Sequence, residues 1–269
     1  LDRAENLFQK LVTSDAYQVS ALSQLLEIYQ QEHEWEKAIY TAQQLTDANH
    51  ESMHIKIAQY YCEQAEDCRR QGQGDAALQA LQYALKTDPN CVRASLLEGQ
   101  LALEKRNQKQ AILAFQRVEQ QDPDYLTEVI EPLQTCYQEI GQQHEFTRYL
   151  RHVLERYGGI TPMLALAQII KQQEGEQHAA EFIVKQMHRL HQHSSVYGLD
   201  YLLDLAISAV PNVTYEYLLL LKKITTRLLK NKPAYKCSQC GFTARKLHWQ
   251  CPSCKQWNTL KPIQGIDGE

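Results

Sequence analysis

Four of the eight cysteines fall in two short, similar strings near the C-terminus, KCSQCGF and WQCPSCK. Cys237 and Cys240 have two residues between them, ten residues follow, and Cys251 and Cys254 again have two between them. A C-x2-C loop lets two thiolates and the amides of a tight turn converge on one ion, and two such loops supply four soft ligands in a tetrahedron. Gly241 suits the turn after the first pair, and Pro252 stiffens the second. The competing chemistry is a disulfide or dithiol redox pair. Two close pairs in a basic segment, in a chain without secretory features, favour a metal. Four thiolates leave no coordination position for water, so the expected site is structural rather than catalytic and His248 is surplus to it. Zinc is favoured, and iron accepts the same ligands. Lys236, Arg245, Lys246 and Lys255 would offset the double negative charge of four thiolates around a divalent ion. Cys62, Cys68, Cys91 and Cys136 are scattered through helical segments and read as small buried apolar residues.

About 30 residues around these ligands cannot build a core from hydrophobic burial alone, so the metal and Phe242, Trp249 and Trp257 must supply it. The charge also sets this segment apart. Residues 230–262 carry seven basic side chains and no acidic one, which leaves 21 basic against 32 acidic, net −11, in the remainder of a chain whose overall charge is −4. Bulk charge therefore gives no reason to expect binding to nucleic acid or an anionic membrane. The chain has 269 residues, 43% apolar and 22% charged, with only 11 Gly and 8 Pro. That composition excludes disorder and favours helices over an all-β fold. The linker of residues 231–234 is short, so the metal module is expected to dock on the last helical hairpins.

The elements that carry the module repeat. Ala4, Ala38, Ala77 and Ala111 sit in similar contexts with separations of 34, 39 and 34, and Pro89 and Pro123, each after Asp, are again 34 apart. The five extra residues are expected in a lengthened connection near residues 49–53. Large apolar residues such as Leu22, Leu25, Leu26 and Tyr29 recur at helical spacing around each small one, as a close helix crossing requires. His33, Gly72 and Arg106 fall at equivalent turns, and the Asp-Pro pairs end second helices. Over residues 1–123 this pattern resembles the tetratricopeptide repeat family. Helical periodicity continues through residues 125–141, 145–157, 162–174, 179–191, 196–210 and 213–231, or three more hairpins. The expected fold is all-α: a tetratricopeptide-type helical solenoid over residues 1–231, followed by a rubredoxin-like four-cysteine metal module over 232–269.

Stacked hairpins bury their apolar faces against one another and leave a concave surface built from first helices. By register that surface includes Ser23, Glu27, Gln59, Glu66, Arg69, Arg93 and Gln100, of which Glu27, Glu66, Arg69 and Arg93 are the candidate partner-binding residues; the alternative is a plain solvated face. Charge reversal at Arg69 or Arg93 is expected to spare thermal stability. No nucleophile-and-base constellation or Gly-rich phosphate loop is present, and the stretch HRLHQH (His188, His191, His193) is the only lure toward an enzyme.

Tetratricopeptide units followed by KPAYKCSQCGFTARKLHWQCPSCKQWNTLKPIQGIDG resemble the lipopolysaccharide assembly protein B family of Gram-negative bacteria. LQTCYQEIG at 133–141, YKCSQCGF at 235–242 and WEKAI at 35–39 carry the likeness. The resemblance implies a non-enzymatic adaptor that limits lipopolysaccharide synthesis. It would recruit the lipid A committed-step deacetylase to a membrane-bound ATP-dependent protease, with other lipopolysaccharide assembly or regulatory membrane proteins as further partners. It also implies an inner-membrane location, cytoplasmic side, through an N-terminal anchor. The chain opens with Leu1 in mid-helix, as a chain lacking such an anchor would. The second knuckle, CPSCK, lacks the Gly that follows it in rubredoxins, which argues against electron transfer. The competing function is a nucleic-acid-binding zinc ribbon on a helical scaffold, for which Lys and Arg interleaved with Phe242, Trp249 and Trp257 would be the platform, with solvent exposure of the two tryptophans as the discriminator.

Overall fold

The computed structural model describes residues 2–14, 16–50, 52–189, 196–209, 214–230 and 232–263. The chain divides into two compact units, Leu1–Asp122 and Pro123–Glu269. In the first unit α1 (Asp2–Leu11) precedes three helical hairpins: α2 (Gln18–Gln31) with α3 (Trp35–Asn49), α4 (His54–Arg70) with α5 (Gly74–Thr87), and α6 (Val92–Glu104) with α7 (Gln108–Gln121). The repeated alanines mark the crossings. Ala38, Ala77 and Ala111 have at most 1% of their surface exposed, and around Ala77 a core of Ala58, Ala65, Leu81, Ala84, Leu97 and Leu101 joins α4, α5 and α6. Gly99 takes the same economy further. A Cβ built there would lie 2.4 Å from the Phe115 ring, so only glycine lets α6 and α7 approach this closely.

The turns within hairpins are copies of one another. His33, Gly72, Arg106 and Gly141 all have φ between 54° and 75°. In each case the next residue's N–H donates to the carbonyl five positions earlier: Glu34 to Tyr29, Gln73 to Cys68, Asn107 to Ala102 and Gln142 to Tyr137, at 2.8–2.9 Å. This is the bond that closes a left-handed helix cap and satisfies an otherwise orphaned carbonyl. α5 and α7 end at Asp88-Pro89 and Asp122-Pro123, as the sequence leads one to expect.

The expected lengthened connection is not where the extra residues lie. Four residues separate the end of α3 from the start of α4 in the sequence, as many as separate α5 from α6, while α4 has 17 residues against 13 in α6, so the insertion is mostly one more helical turn at the start of α4. Polar NHES reads as loop by composition, but a helix lengthened by a full turn keeps every apolar residue on its face and leaves no other mark.

The second unit begins with a 3-10 turn, Pro123–Tyr125, and continues with α8 (Thr127–Glu139), α9 (Gln143–Tyr157), α10 (Ile160–Glu174), α11 (Glu176–Arg189), α12 (Val196–Ala209) and α13 (Thr214–Lys230). These match the six helical segments read from periodicity. The same unit holds a three-stranded antiparallel sheet ordered β2-β1-β3, from β1 (Tyr235–Cys237), β2 (Thr243–Ala244) and β3 (Leu260–Pro262). No helix among the described residues is long and apolar enough to cross a membrane.

Candidate metal centre

Two knuckles with one hydrogen-bond scheme bring the four cysteines together. In the first, Cys237 N–H donates to Phe242 O at 2.7 Å and Gly241 N–H to Cys237 O at 3.0 Å. In the second, Cys251 N–H donates to Gln256 O and Lys255 N–H to Cys251 O, both at 2.9 Å. The residue after each pair adopts the same left-handed backbone: Gly241 has φ 76° and Lys255 φ 60°. Lysine thus occupies a position that glycine takes without strain, at a cost of about 1 kcal/mol.

The sulfur atoms of Cys237, Cys240, Cys251 and Cys254 all lie within 4.8 Å of one another. Cys237 to Cys254 is 3.8 Å and Cys240 to Cys251 is 3.7 Å. These separations are far too long for disulfides, and a tetrahedron with metal–sulfur bonds of about 2.3 Å has edges of about 3.8 Å. The residues therefore fit a single tetrathiolate-bound ion, which would bring a divalent charge and cross-link the two knuckles. Cys237 and Cys251 are buried, Cys254 is half-buried and Cys240 is exposed.

The electrostatics point the same way. Burial disfavours a Cys237 thiolate, yet the Thr259 hydroxyl and the amides of Cys240 and Gln239 outweigh it and bring the thiol down to about 6. The Phe242 amide likewise lowers Cys240. Gln256 N–H favours a Cys254 thiolate too, but burial and the other three cysteines prevail and push that thiol up to about 11. Turn amides invite thiolates and the thiolates repel one another, a conflict that a shared cation resolves.

A buried aromatic residue of the 3-10 turn helps to seat the module. Tyr125 is fully buried; its hydroxyl reaches Leu260 O at 2.8 Å and Asn258 Oδ1 at 3.2 Å. Its ring stacks on Trp249 with 5.5 Å between centroids and lies under Lys261 Nζ at 4.5 Å. Beside it, the Tyr235 hydroxyl donates to Glu128 of α8. Among the described residues, contacts of the module run to the 3-10 turn and the start of α8, a docking surface that the expectation of the last helical hairpins did not include. The short 231–234 linker fixes where the module begins, but the aromatic surface able to cover it lies more than a hundred residues earlier. Periodicity marks Tyr125 only as the start of a helix, and nothing local in the sequence ties it to Trp249 or Leu260.

The anticipated core residues are consumed in this packing. Trp257 is 9% exposed, Trp249 is half-buried against Tyr125, and Phe242 packs on the cluster of Cys237, Cys251 and Leu260. His248 is exposed and is not among the clustered ligands. Of the histidine stretch, His191 and His193 lie outside the described residues, as does the side chain of His188.

The partner-binding candidates lie in the first unit. Glu27 is exposed on α2. Arg93 is 3% exposed, with Nη1 2.9 Å from Glu63 and Nη2 3.2 Å from Glu66. Arg69 Nε lies 2.9 Å from Glu104, and its Nη1 donates to Gln100 at 3.2 Å. Glu66, Arg69, Arg70 and Glu104 line a cleft of about 320 Å³. Glu63, Glu104 and the Arg117–Glu98 pair at 2.8 Å complete a polar network that the sequence reading missed.

The geometry agrees with the relatives. Residues 235–262 match the rubredoxin metal binding domain family, and residues 62–125 match the tetratricopeptide repeat family. The chain is 35% identical over 268 residues to lipopolysaccharide assembly protein B of Escherichia coli K12, covering 99% of this chain and 68% of that protein. It is 34% identical to the Haemophilus influenzae protein of the same name, covering 97% and 65%. A 31-residue stretch, 12% of this chain, is 55% identical to 7% of the DNA repair protein RadA of Aquifex aeolicus. A solved structure of PilF from Pseudomonas aeruginosa is similar at 15% identity and a TM-score of 0.42, over 79% of this chain and 90% of that one. With the repeats, the four-cysteine module and their order along the chain all matched, the protein belongs to the lipopolysaccharide assembly protein B family.

Proposed function

We propose that the chain is the helical and metal-binding part of a non-enzymatic adaptor that limits lipopolysaccharide synthesis by bringing the lipid A committed-step deacetylase to a membrane-bound ATP-dependent protease. The observation that carries this reading is the match along 99% of the chain to proteins named for lipopolysaccharide assembly. Two structural features support it. Stacked helical hairpins offer an extended surface suited to protein partners. The tetrathiolate site fills its own coordination shell, which suits a structural ion and leaves no place for substrate. Zinc is the favoured ion, with iron the alternative, and metal analysis of the purified protein decides between them. Glu66 and Arg69 at the cleft of the first unit, exposed Glu27 on α2, and Arg93 paired with Glu66 are the partner-binding candidates. The adaptor works at the cytoplasmic face of the inner membrane through an anchor outside this chain, among other lipopolysaccharide assembly or regulatory membrane proteins.

The test is the lifetime of the deacetylase in cells with and without the full-length protein. Loss of the adaptor should lengthen that lifetime and raise lipopolysaccharide; an unchanged lifetime refutes the proposal. The nucleic-acid reading draws on the short likeness to a DNA repair protein and on the basic ribbon. Against it, Trp257 is buried and Trp249 already stacks on Tyr125, so the platform for bases is taken. Salt-dependent binding of single-stranded oligonucleotides by the purified chain would revive it.

A further inference from the structure

Two other sulfurs face each other inside the first unit. Cys62 lies in α4 and Cys91 is the N-cap residue of α6; both are sealed from solvent, and their Sγ atoms are 3.7 Å apart. The spacing equals that within the metal centre, but the surroundings differ. Gln59 Nε2 donates toward Cys91 Sγ at 3.6 Å, and the Arg93 guanidinium lies close enough to act on both sulfurs. A fixed cation and an amide donor repel a metal ion and favour a thiolate.

The two thiols are also unequal. Cys91 is lowered, by hydrogen bonding from Cys62 above all, with the Ala94 amide and Arg93 assisting against burial and Asp88. Cys62 is raised, chiefly by burial, with Cys91 and Glu66 adding to it and Arg93 opposing. A sulfur at a helix N-terminus that receives an amide donor and lies 3.7 Å from a second thiol is the arrangement of an attacking and a resolving cysteine.

We infer that Cys62 and Cys91 form a peroxide-reactive dithiol that closes to a disulfide between α4 and α6. The Cys91 thiolate attacks one oxygen of hydrogen peroxide; the O–O bond breaks, the departing hydroxide takes up a proton as water, and Cys91 becomes a sulfenic acid. Cys62 sulfur then attacks Cys91 sulfur; the S–S bond forms, the S–O bond breaks, and the hydroxyl leaves with the Cys62 proton as a second water. The two sulfurs together lose two electrons and the peroxide oxygens gain them. Burial excludes bulky disulfides and selects a small neutral oxidant. The product pins α4 to the start of α6, across the ion pairs of Arg93 with Glu63 and Glu66.

The experiment treats the metal-loaded chain with graded hydrogen peroxide, then blocks free thiols with N-ethylmaleimide and maps tryptic peptides without reduction. Cleavage after Lys56, Arg69, Lys86 and Arg93 places the two sulfurs in peptides 57–69 and 87–93. Cys68 shares the first of these, so the protein carries Cys68→Ser. Expected is a 57–69/87–93 pair lighter by two hydrogens than its parts, abolished by dithiothreitol and accompanied by a reversible rise in melting temperature. In Cys62→Ser, which keeps a hydrogen-bond donor to Cys91 but no resolving sulfur, the same dose should carry Cys91 on to sulfinic acid. Cys136, equally buried, is the internal control. The inference is overturned if Cys91 oxidises without the linked pair, if it reacts no faster than Cys136, or if Cys62→Ser leaves its product unchanged.

Discussion

Reversing the charge of Arg93 should unfold the first unit well before it affects any partner. The guanidinium is 3% exposed and sits between Glu63 at 2.9 Å and Glu66 at 3.2 Å, with Gln59 Oε1 accepting from Nη1 at 3.4 Å. Burial works against its charge, but Cys62 and the two glutamates together overcome that and hold it more firmly protonated than a free arginine. In Arg93→Glu the cation disappears and a third carboxylate takes its place. Breaking a buried ion pair from one side costs about 3–5 kcal/mol. Because the Glu63 and Glu66 side chains are 19% and 35% exposed, water relieves part of the repulsion, which favours the lower figure. Unfolding entropy of about 2.1 cal/mol/K per residue gives a unit ending at residue 122 about 0.25 kcal/mol per kelvin, so about 3 kcal/mol lowers Tm by about 12 °C. Arg69→Glu is the comparison. Arg69 is 37% exposed and faces a half-exposed Glu104, a surface pair worth about 0–1 kcal/mol, or at most about 4 °C. Calorimetry of both variants beside the parent chain checks the difference. If Arg93→Glu melts within about 3 °C of the parent, the buried-pair reasoning fails and Arg93 belongs to the open surface after all.

In Gly99→Ala, the new methyl meets the Phe115 ring at 2.4 Å and forces α6 from α7. Overpacking at about 1–3 kcal/mol should exceed the roughly 1 kcal/mol that alanine contributes to a helix, and a higher Tm would contradict the close-packing account. Lys255→Gly should relieve the left-handed backbone and steady the second knuckle by about 1 kcal/mol, read as slower metal loss to a chelator; faster loss would mean that the lysine charge matters more than its backbone. Tyr125→Phe removes the donor to Leu260 O and Asn258, a loss of about 1–3 kcal/mol that should expose the module to limited proteolysis while the metal stays bound. Unaltered cleavage would show that ring stacking alone seats it. Cys251→Ser should instead weaken metal binding and docking together, with Trp249 fluorescence reporting its separation from Tyr125.

The metal centre was legible because each knuckle is local: six residues contain both ligands, the left-handed turn and the hydrogen bonds that aim the sulfurs. The hairpin turns were legible for the same reason. The module's seat was not, because Tyr125 and Leu260 are 135 residues apart and neither carries a pattern that points to the other. The groove lies between these cases. The period identified which polar residues share a face, but residues one period apart are neighbours as well as equivalents, as Gln59 and Arg93 are at a separation of 34. Opposite charges near that separation neutralise each other within the solenoid: Arg93 with Glu63, and Arg69 with Glu104, 30 and 35 residues apart in the sequence. In a stacked helical repeat, a charge on the concave register is available to a partner only when the adjacent units hold no countercharge within reach. Arg93 does not meet that condition, and Arg69, at 37% exposure, meets it in part.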